Sequence, residues 1–258
     1  MALPSISKTR LQLFSSLHSS KMRRRHGLFT VEGRKCVGDT LGAFTTRALL
    51  LSSKAIEEYP FFAEMDGAVE ASEYELSKVS QLSTPSDVIA VYEIPPAHSI
   101  QPKTGLYLML DGIRDPGNLG TIIRSADWFG VEAIFCSPDC VDAYNPKTVQ
   151  ATMGAIARVE IEYTDLNEVL LRAPEIPVYG MMLEGDSIYD VSLESDAFIA
   201  MGNEGIGLSD SVRNKLTKGL LLPPFPPTRL GASNCSESLN VGVATAITLA
   251  EFRRRHAK

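Results

Sequence analysis

The chain has 258 residues, 44% of them hydrophobic and 22% charged, a composition that excludes disordered, collagenous and disulfide-scaffold classes. Its net charge of −6 argues against a protein that coats nucleic acid, since such domains are basic. Cys36, Cys136, Cys140 and Cys235 lack Cys-x-x-Cys spacing and read as buried thiols in a reducing compartment; no clustered metal-ligand set is offered elsewhere.

Charge is uneven along the chain. Residues 1–31 carry Lys8, Arg10, Lys21, Arg23, Arg24 and Arg25 without an acid, whereas residues 57–75 carry Glu57, Glu58, Glu64, Asp66, Glu70, Glu73 and Glu75 without a base. One face can therefore meet a polyanion while another keeps the protein in solution. The N-terminal stretch has no basic region followed by an apolar one, and no run of about 18 apolar residues occurs. A cytoplasmic protein with no membrane partner is expected.

The first elements are short αβ units. A polar helix carries Leu11, Leu13, Phe14 and Leu17, followed by a strand near "GLFTVEG", a helix around "RKCVGDTL", a strand near "RALLLSS" and a helix beginning near Ser72. "SDVIAVYEIPPAHSIQPKTG" gives one more strand and then a Pro, Ser and Gly-bearing stretch. A boundary between 96 and 105 is expected there, dividing the chain into residues 1–100 and 105–258.

From Leu106 the strands "LYLML", "EAIFC", "IARVEI", "PVYGMM" and "DAFIAM" alternate with helix-length segments. Near-continuous apolar strands alternating with helices predict an α/β fold whose mostly parallel sheet is covered on both faces. Ligands of such sheets gather beyond the carboxyl ends of the strands. A last helix is read over "SLNVGVATAITLAEFRRRHAK", where Arg253, Arg254 and Arg255 suit the negative end of the helix dipole.

Three loops are too polar and too rich in glycine for mere connections: "DGIRDPGNLGTIIRSADWFG", "IAMGNEGIGLSDSV" and "LLPPFPPTRLGASNCSESLNVG". None carries a Rossmann glycine fingerprint or a P-loop. Gly202, Gly205 and Gly207 allow close backbone approach to a ligand after the strand ending at Met201. A plain turn does not explain Glu204 within that collar, Asn118 and Arg124 at the first turn, or Ser238 and Asn240 at the start of the last helix. Ser238 also reads as a helix N-cap.

In this order the three segments resemble the three motifs of the SpoU (TrmH-like) branch of the SPOUT RNA methyltransferases. "NPKTVQATMGAIARV" resembles the central helix and strand of that branch, and "RRRHGLFTVEG" the opening of its small L30e-like substrate-binding domain. The resemblance implies a SPOUT-type domain with a trefoil knot behind an L30e-like α/β domain, a homodimer, and S-adenosyl-L-methionine as the donor for ribose 2′-O-methylation. Structured RNA is the implied partner, rRNA favoured over tRNA. A tRNA enzyme, or a non-catalytic RNA-binding protein that retains the fold, stays open as an alternative.

Carried over by position, the resemblance implies a catalytic set of Asn118, Arg124, Glu204, Ser238 and Asn240, with Asn118 orienting Arg124. Cofactor contacts are implied at Met182, Leu183, Glu184, Gly185, Met201, Gly202, Asn203, Gly205, Leu222 and Leu239. Lys21, Arg23, Arg24 and Arg25 are expected to grip RNA phosphates. The chain departs from the family pattern in its proline-rich approach to the third motif, and in glycine at Gly242 where serine is common.

Overall fold

A computed structural model describes residues 3–231 and 236–256. Cys235 lies outside the described residues. The chain divides into two compact units, residues 1–96 with 142–158, and residues 97–141 with 159–258.

The first unit opens with α1 (Lys8–Ser15), capped by Ser7, and α2 (Ser20–His26), which ends at Gly27 in the left-handed region. There follow β1 (Leu28–Glu32), α3 (Arg34–Thr40), β2 (Thr46–Leu51), α4 (Ser53–Glu58), α5 (Pro60–Ala63), β3 (Ala68–Glu70), α6 (Glu73–Val79) and β4 (Val88–Glu93). The sheet order is β1-β4-β2-β3, with only β2 and β3 parallel. Alternate residues face opposite ways, as the strand period requires. Phe29, Leu49, Ala90 and Tyr92 pack with Val37, Ala55 and Phe62 on one face. Leu50, Ile89 and Val91 pack with Phe14, Leu17 and Leu76 on the other. Burial on both faces is why these strands read as unbroken apolar runs. The helix anticipated near Ser72 starts there because Ser72 and Glu75 form a reciprocal capping box.

The second unit is built on β5 (Leu106–Asp111), α7 (Pro116–Trp128), β6 (Ala133–Cys136), β7 (Glu160–Tyr163), α9 (Leu166–Arg172), β8 (Val178–Ser187), β9 (Ala197–Gly202), α10 (Asp210–Arg213), β10 (Lys218–Leu221) and α11 (Val241–His256). Its six strands are all parallel, in the order β10-β8-β9-β5-β6-β7. On one face Val169 of α9 and Val212 of α10 join Tyr107, Met109, Phe135 and Phe198 in a single core. On the other, α7 and α11 pack against each other. The neighbours β5 and β9 thus send their connections to opposite faces, which opens a crevice at their carboxyl ends.

Residues 142–158, including α8 (Pro146–Thr152), cluster with the first unit although the sequence places them beyond the boundary. Val149 enters the first unit's core, and Tyr144 lies against Phe29 with ring centroids 4.7 Å apart. The strand anticipated at "IARVEI" shifts for the same reason. Ala155–Ala157 is a 3-10 turn behind Gly154 (φ 90°), and the strand begins at Glu160.

Candidate active site

The first loop leaves β5 at Asp111 and is held from beneath. Gly112 N donates to Ser137 Oγ at 2.9 Å, and Ile113 N donates to Cys140 Sγ at 3.2 Å. Asp115 then caps α7, accepting from Asn118 N at 2.8 Å, with Pro116 at the first helical position. The dipeptide Asp-Pro was a readable start signal. The support from Ser137 and Cys140 was not, because it comes from the next strand's end. Hydrogen bonding to Cys136 brings the Cys140 thiol down to about 7 and, with burial, raises that of Cys136. Cys36, Cys136 and Cys140 are all free and buried.

The second loop follows β9. Asn203 ties it to the first by donating from Nδ2 to Gly112 O at 2.8 Å, while its Oδ1 accepts from Gly205 N at 2.9 Å and Ile206 N at 3.3 Å. Gly202 is required, since a Cβ there would fall 2.3 Å from the Gly207 carbonyl carbon. Asp111 completes the tie, accepting from Ser209 N at 2.7 Å.

Asn118 joins all three loops. Its Nδ2 donates to Glu204 Oε1 at 2.5 Å, and its Oδ1 accepts from Asn240 Nδ2 at 2.8 Å. Asn240 in turn caps α11, its Oδ1 accepting from Gly242 N at 3.0 Å and Val243 N at 3.2 Å. The cap is therefore Asn240 and not Ser238, whose exposed side chain has no hydrogen-bond partner among the described residues. Gly242 suits its place, because a Cβ would come 3.1 Å from Thr121 Cγ2 on α7.

Arg124 is exposed and makes no hydrogen bond or ion pair among the described residues. Asn118 does not orient it directly. Six residues along a helix turn a side chain about 120° and shift it about 9 Å, and the Asn118 amide is already engaged on both sides.

Met182, Leu183, Glu184 and Gly185 lie on β8 where its ladder is interrupted. β10 pairs Gly219 with Gly180 and then Leu220 with Asp186, and β9 pairs β8 only from Val178 to Gly180. The backbone from 181 to 185 is thus left out of both ladders. Gly185 is needed there, since a Cβ would fall 2.5 Å from the Leu220 carbonyl carbon. Leu183 and Leu239 are about half exposed, Leu222 is partly buried, and Met201 is buried.

In the first unit Lys21, Arg24 and Arg25 are exposed. Arg23 is not, and the expectation that it grips RNA is corrected. It is 1% exposed, donating to Asp142 Oδ2 at 3.1 and 2.6 Å and to the carbonyls of Leu17 and His18, both at 2.9 Å. A buried guanidinium with these partners is a structural tie between α2 and residue 142.

Comparison with known proteins places these observations. Residues 8–90 match the MRM3-like substrate binding domain model. A protein of the TrmH family from Porphyromonas gingivalis has 35% identity over 97% of this chain and 99% of its own, with a TM-score of 0.83. The AdoMet-bound rRNA methyltransferase from Sinorhizobium meliloti has 26% identity, covers 100% of this chain and 99% of its own, and has a TM-score of 0.84. The 23S rRNA (guanosine(2553)-2′-O)-methyltransferase RlmP of Bacillus subtilis is 27% identical over 97% of this chain and 98% of its own. Residues 105–250, which carry all three loops, match the SpoU rRNA methylase family model, and the chain belongs to that family.

Proposed function

We propose that this protein transfers a methyl group from S-adenosyl-L-methionine to a ribose 2′-hydroxyl of rRNA, working as a homodimer in the cytoplasm. The observation that carries the reading is Asn118, which fastens the three motif loops together while Arg124 stands exposed on the same helix. Membership of the family and similarity to enzymes named for rRNA support the substrate class. No helix among the described residues is long and apolar enough to cross a membrane. The trefoil knot implied by the resemblance is part of the proposal.

The residues present fit the cofactor. A nucleoside with an amino-acid tail needs backbone donors and acceptors beside small apolar surfaces; residues 181–185 offer backbone outside both ladders with half-exposed Leu183 among them, and Leu239 is half exposed in the third loop. Met182 to Gly185, Met201, Gly202, Asn203, Gly205, Leu222 and Leu239 would hold it. When bound, it supplies an electrophilic methyl group on a sulfonium.

The protein must hold the hydroxyl in line with that methyl and ease loss of its proton. A guanidinium stays protonated at accessible pH, so Arg124 serves by binding the nucleotide's phosphate and stabilising the developing alkoxide, while the hydroxyl proton passes to that phosphate. Asn118, Glu204 and Asn240 keep the loops in register around it. Ser238, exposed before α11 and without a hydrogen-bond partner among the described residues, would bind the same phosphate.

Arg124→Ala is expected to lower methyl transfer at least about a hundredfold while calorimetry finds S-adenosylhomocysteine affinity unchanged. Total RNA labelled from radioactive S-adenosylmethionine, separated and mapped by mass spectrometry, identifies the substrate. Label on a ribose 2′-oxygen of rRNA supports the proposal, label in tRNA changes the substrate, and label on a base overturns the reaction.

A further inference from the structure

At one end of the first sheet, where α2 ends, β1 and β2 begin and β4 finishes, lies a cleft of about 470 Å³, within the roughly 300–1,000 Å³ range of ligand sites. His26, Arg47 and Glu93 line it together with Leu13, Gly27, Leu28 and Ile94, and the surface it exposes is mostly polar. Two backbone irregularities shape it. Gly27 (φ 61°) turns the chain sharply from α2 into β1, which brings His26 to the rim. The pairing of β2 with β4 shifts register between Thr46 and Ala48, so Arg47 sits in a bulge. Bulges re-aim a side chain out of its normal alternation. The carbonyl of Arg47 is taken by Arg10 Nη2 at 2.6 Å, which brings a second guanidinium alongside.

Within the lining, Arg47 and His26 stand with a single acid, Glu93. Arg47 Nη1 lies 3.6 Å from Glu93 Oε1, with the two side chains 58% and 45% exposed. A long pair in water is worth about 0–1 kcal/mol, so a phosphate can compete for Arg47. Lys21, Arg24 and Arg25 are exposed on α2, the helix that ends at the cleft.

We propose that this cleft binds a backbone phosphate of the substrate RNA, with Arg47 and His26 on the phosphate. This rests on the RNA methyltransferase reading above. It moves the anchor away from the α2 row, whose Arg23 is buried, to a site made by three strands and a helix end.

The test is fluorescence anisotropy of fragmented ribosomal RNA, end-labelled with fluorescein, across a salt series. Arg47→Gln and His26→Gln should each weaken binding, and the Arg47→Gln salt slope should fall by about 0.7–0.9, the contribution of one phosphate contact. Lys54→Gln, an exposed cation elsewhere on the unit, should match wild type. Glu93→Gln should tighten binding about threefold, which is about 0.65 kcal/mol and cannot arise from misfolding. S-adenosylhomocysteine affinity should be unchanged throughout, and methylation should show a raised KM with kcat kept. Wild-type slopes and affinities in the Arg47 and Glu93 variants would overturn the cleft while leaving the methyltransferase reading intact. Wild-type protein that binds RNA through the cleft but transfers no methyl would sink the activity and leave the cleft standing.

Discussion

Asn118 commits both ends of its amide inside the protein, as donor to Glu204 and acceptor from Asn240. A carboxylate in its place would keep one contact and set a like charge against Glu204. Asn118→Asp is therefore expected to loosen the second loop and weaken S-adenosylhomocysteine binding about ten- to a hundredfold, the worth of a hydrogen bond to a charged group. Adding Glu204→Gln removes the repulsion and should recover much of the loss in calorimetry. If the single variant kept its affinity and lost only kcat, Asn118 would belong to the RNA side of the site instead. The sequence named Asn118, Glu204 and Asn240 because polar residues stood where turns need none. Which of them touch was illegible, since residues 86 and 122 positions apart meet only once the sheet has set the loops side by side.

Element α11 carries its basic last turn where the sequence placed it, and the same arginines have further partners. Its terminal arginines were expected to answer the helix dipole. They do stand in its last turn, and in addition Arg253 donates to the carbonyls of Phe129 and Gly130 at the end of α7, and Arg255 to those of Val191, Ile188 and Tyr189 beyond β8. Glu251, itself buried, organises them by pairing with Arg254 and Arg255, both at 2.7 Å. Hydrogen bonds from Arg254 and then Arg255 bring its carboxyl down to about 2 from 4.5. A depressed acid stabilises the fold fully above its unfolded value and loses that contribution as pH falls through the folded one. The loss should run from about pH 4.5 to 2, and Glu251→Gln should remove it. Allowing for solvent at the exposed Arg254 end, that variant should be about 1–2 kcal/mol less stable at pH 7. Denaturant melts by circular dichroism at pH 7, 4 and 2.5 test this, and an unchanged pH dependence would contradict it. Elsewhere the short strands β3 and β10 escaped the sequence reading, because three or four residues hold too little periodicity to stand out.

At the scale of the molecule, two α/β units and a parallel sheet followed from apolar strands alternating with helices. The assignment of residues 142–158 did not, because the burial of Val149 and Tyr144 against Phe29 depends on a return of the chain that no local pattern encodes. Assembly poses a similar problem, and here exposed apolar surface is the guide. Trp128 at the end of α7 is 83% exposed, and Val243 at the start of α11 is 47% exposed. These helices cover one face of the second unit, and Arg124 projects from the same layer. A water-facing indole, with an exposed valine further along the same layer, is costly on a monomer and ordinary at a subunit contact, where aromatic side chains are enriched. We expect a homodimer through the α7–α11 layer, which would carry each Arg124 towards its partner's loops. Trp128 is the chain's single tryptophan, so its emission reports on this contact alone. Light scattering should give twice the chain mass at micromolar concentration, with a blue-shifted emission that moves red on dilution. Trp128→Glu should yield a folded monomer that has lost methyl transfer. A wild-type monomer whose emission is that of a solvated indole at every concentration would sink the dimer, and a Trp128→Glu dimer with full activity would place the contact on another face.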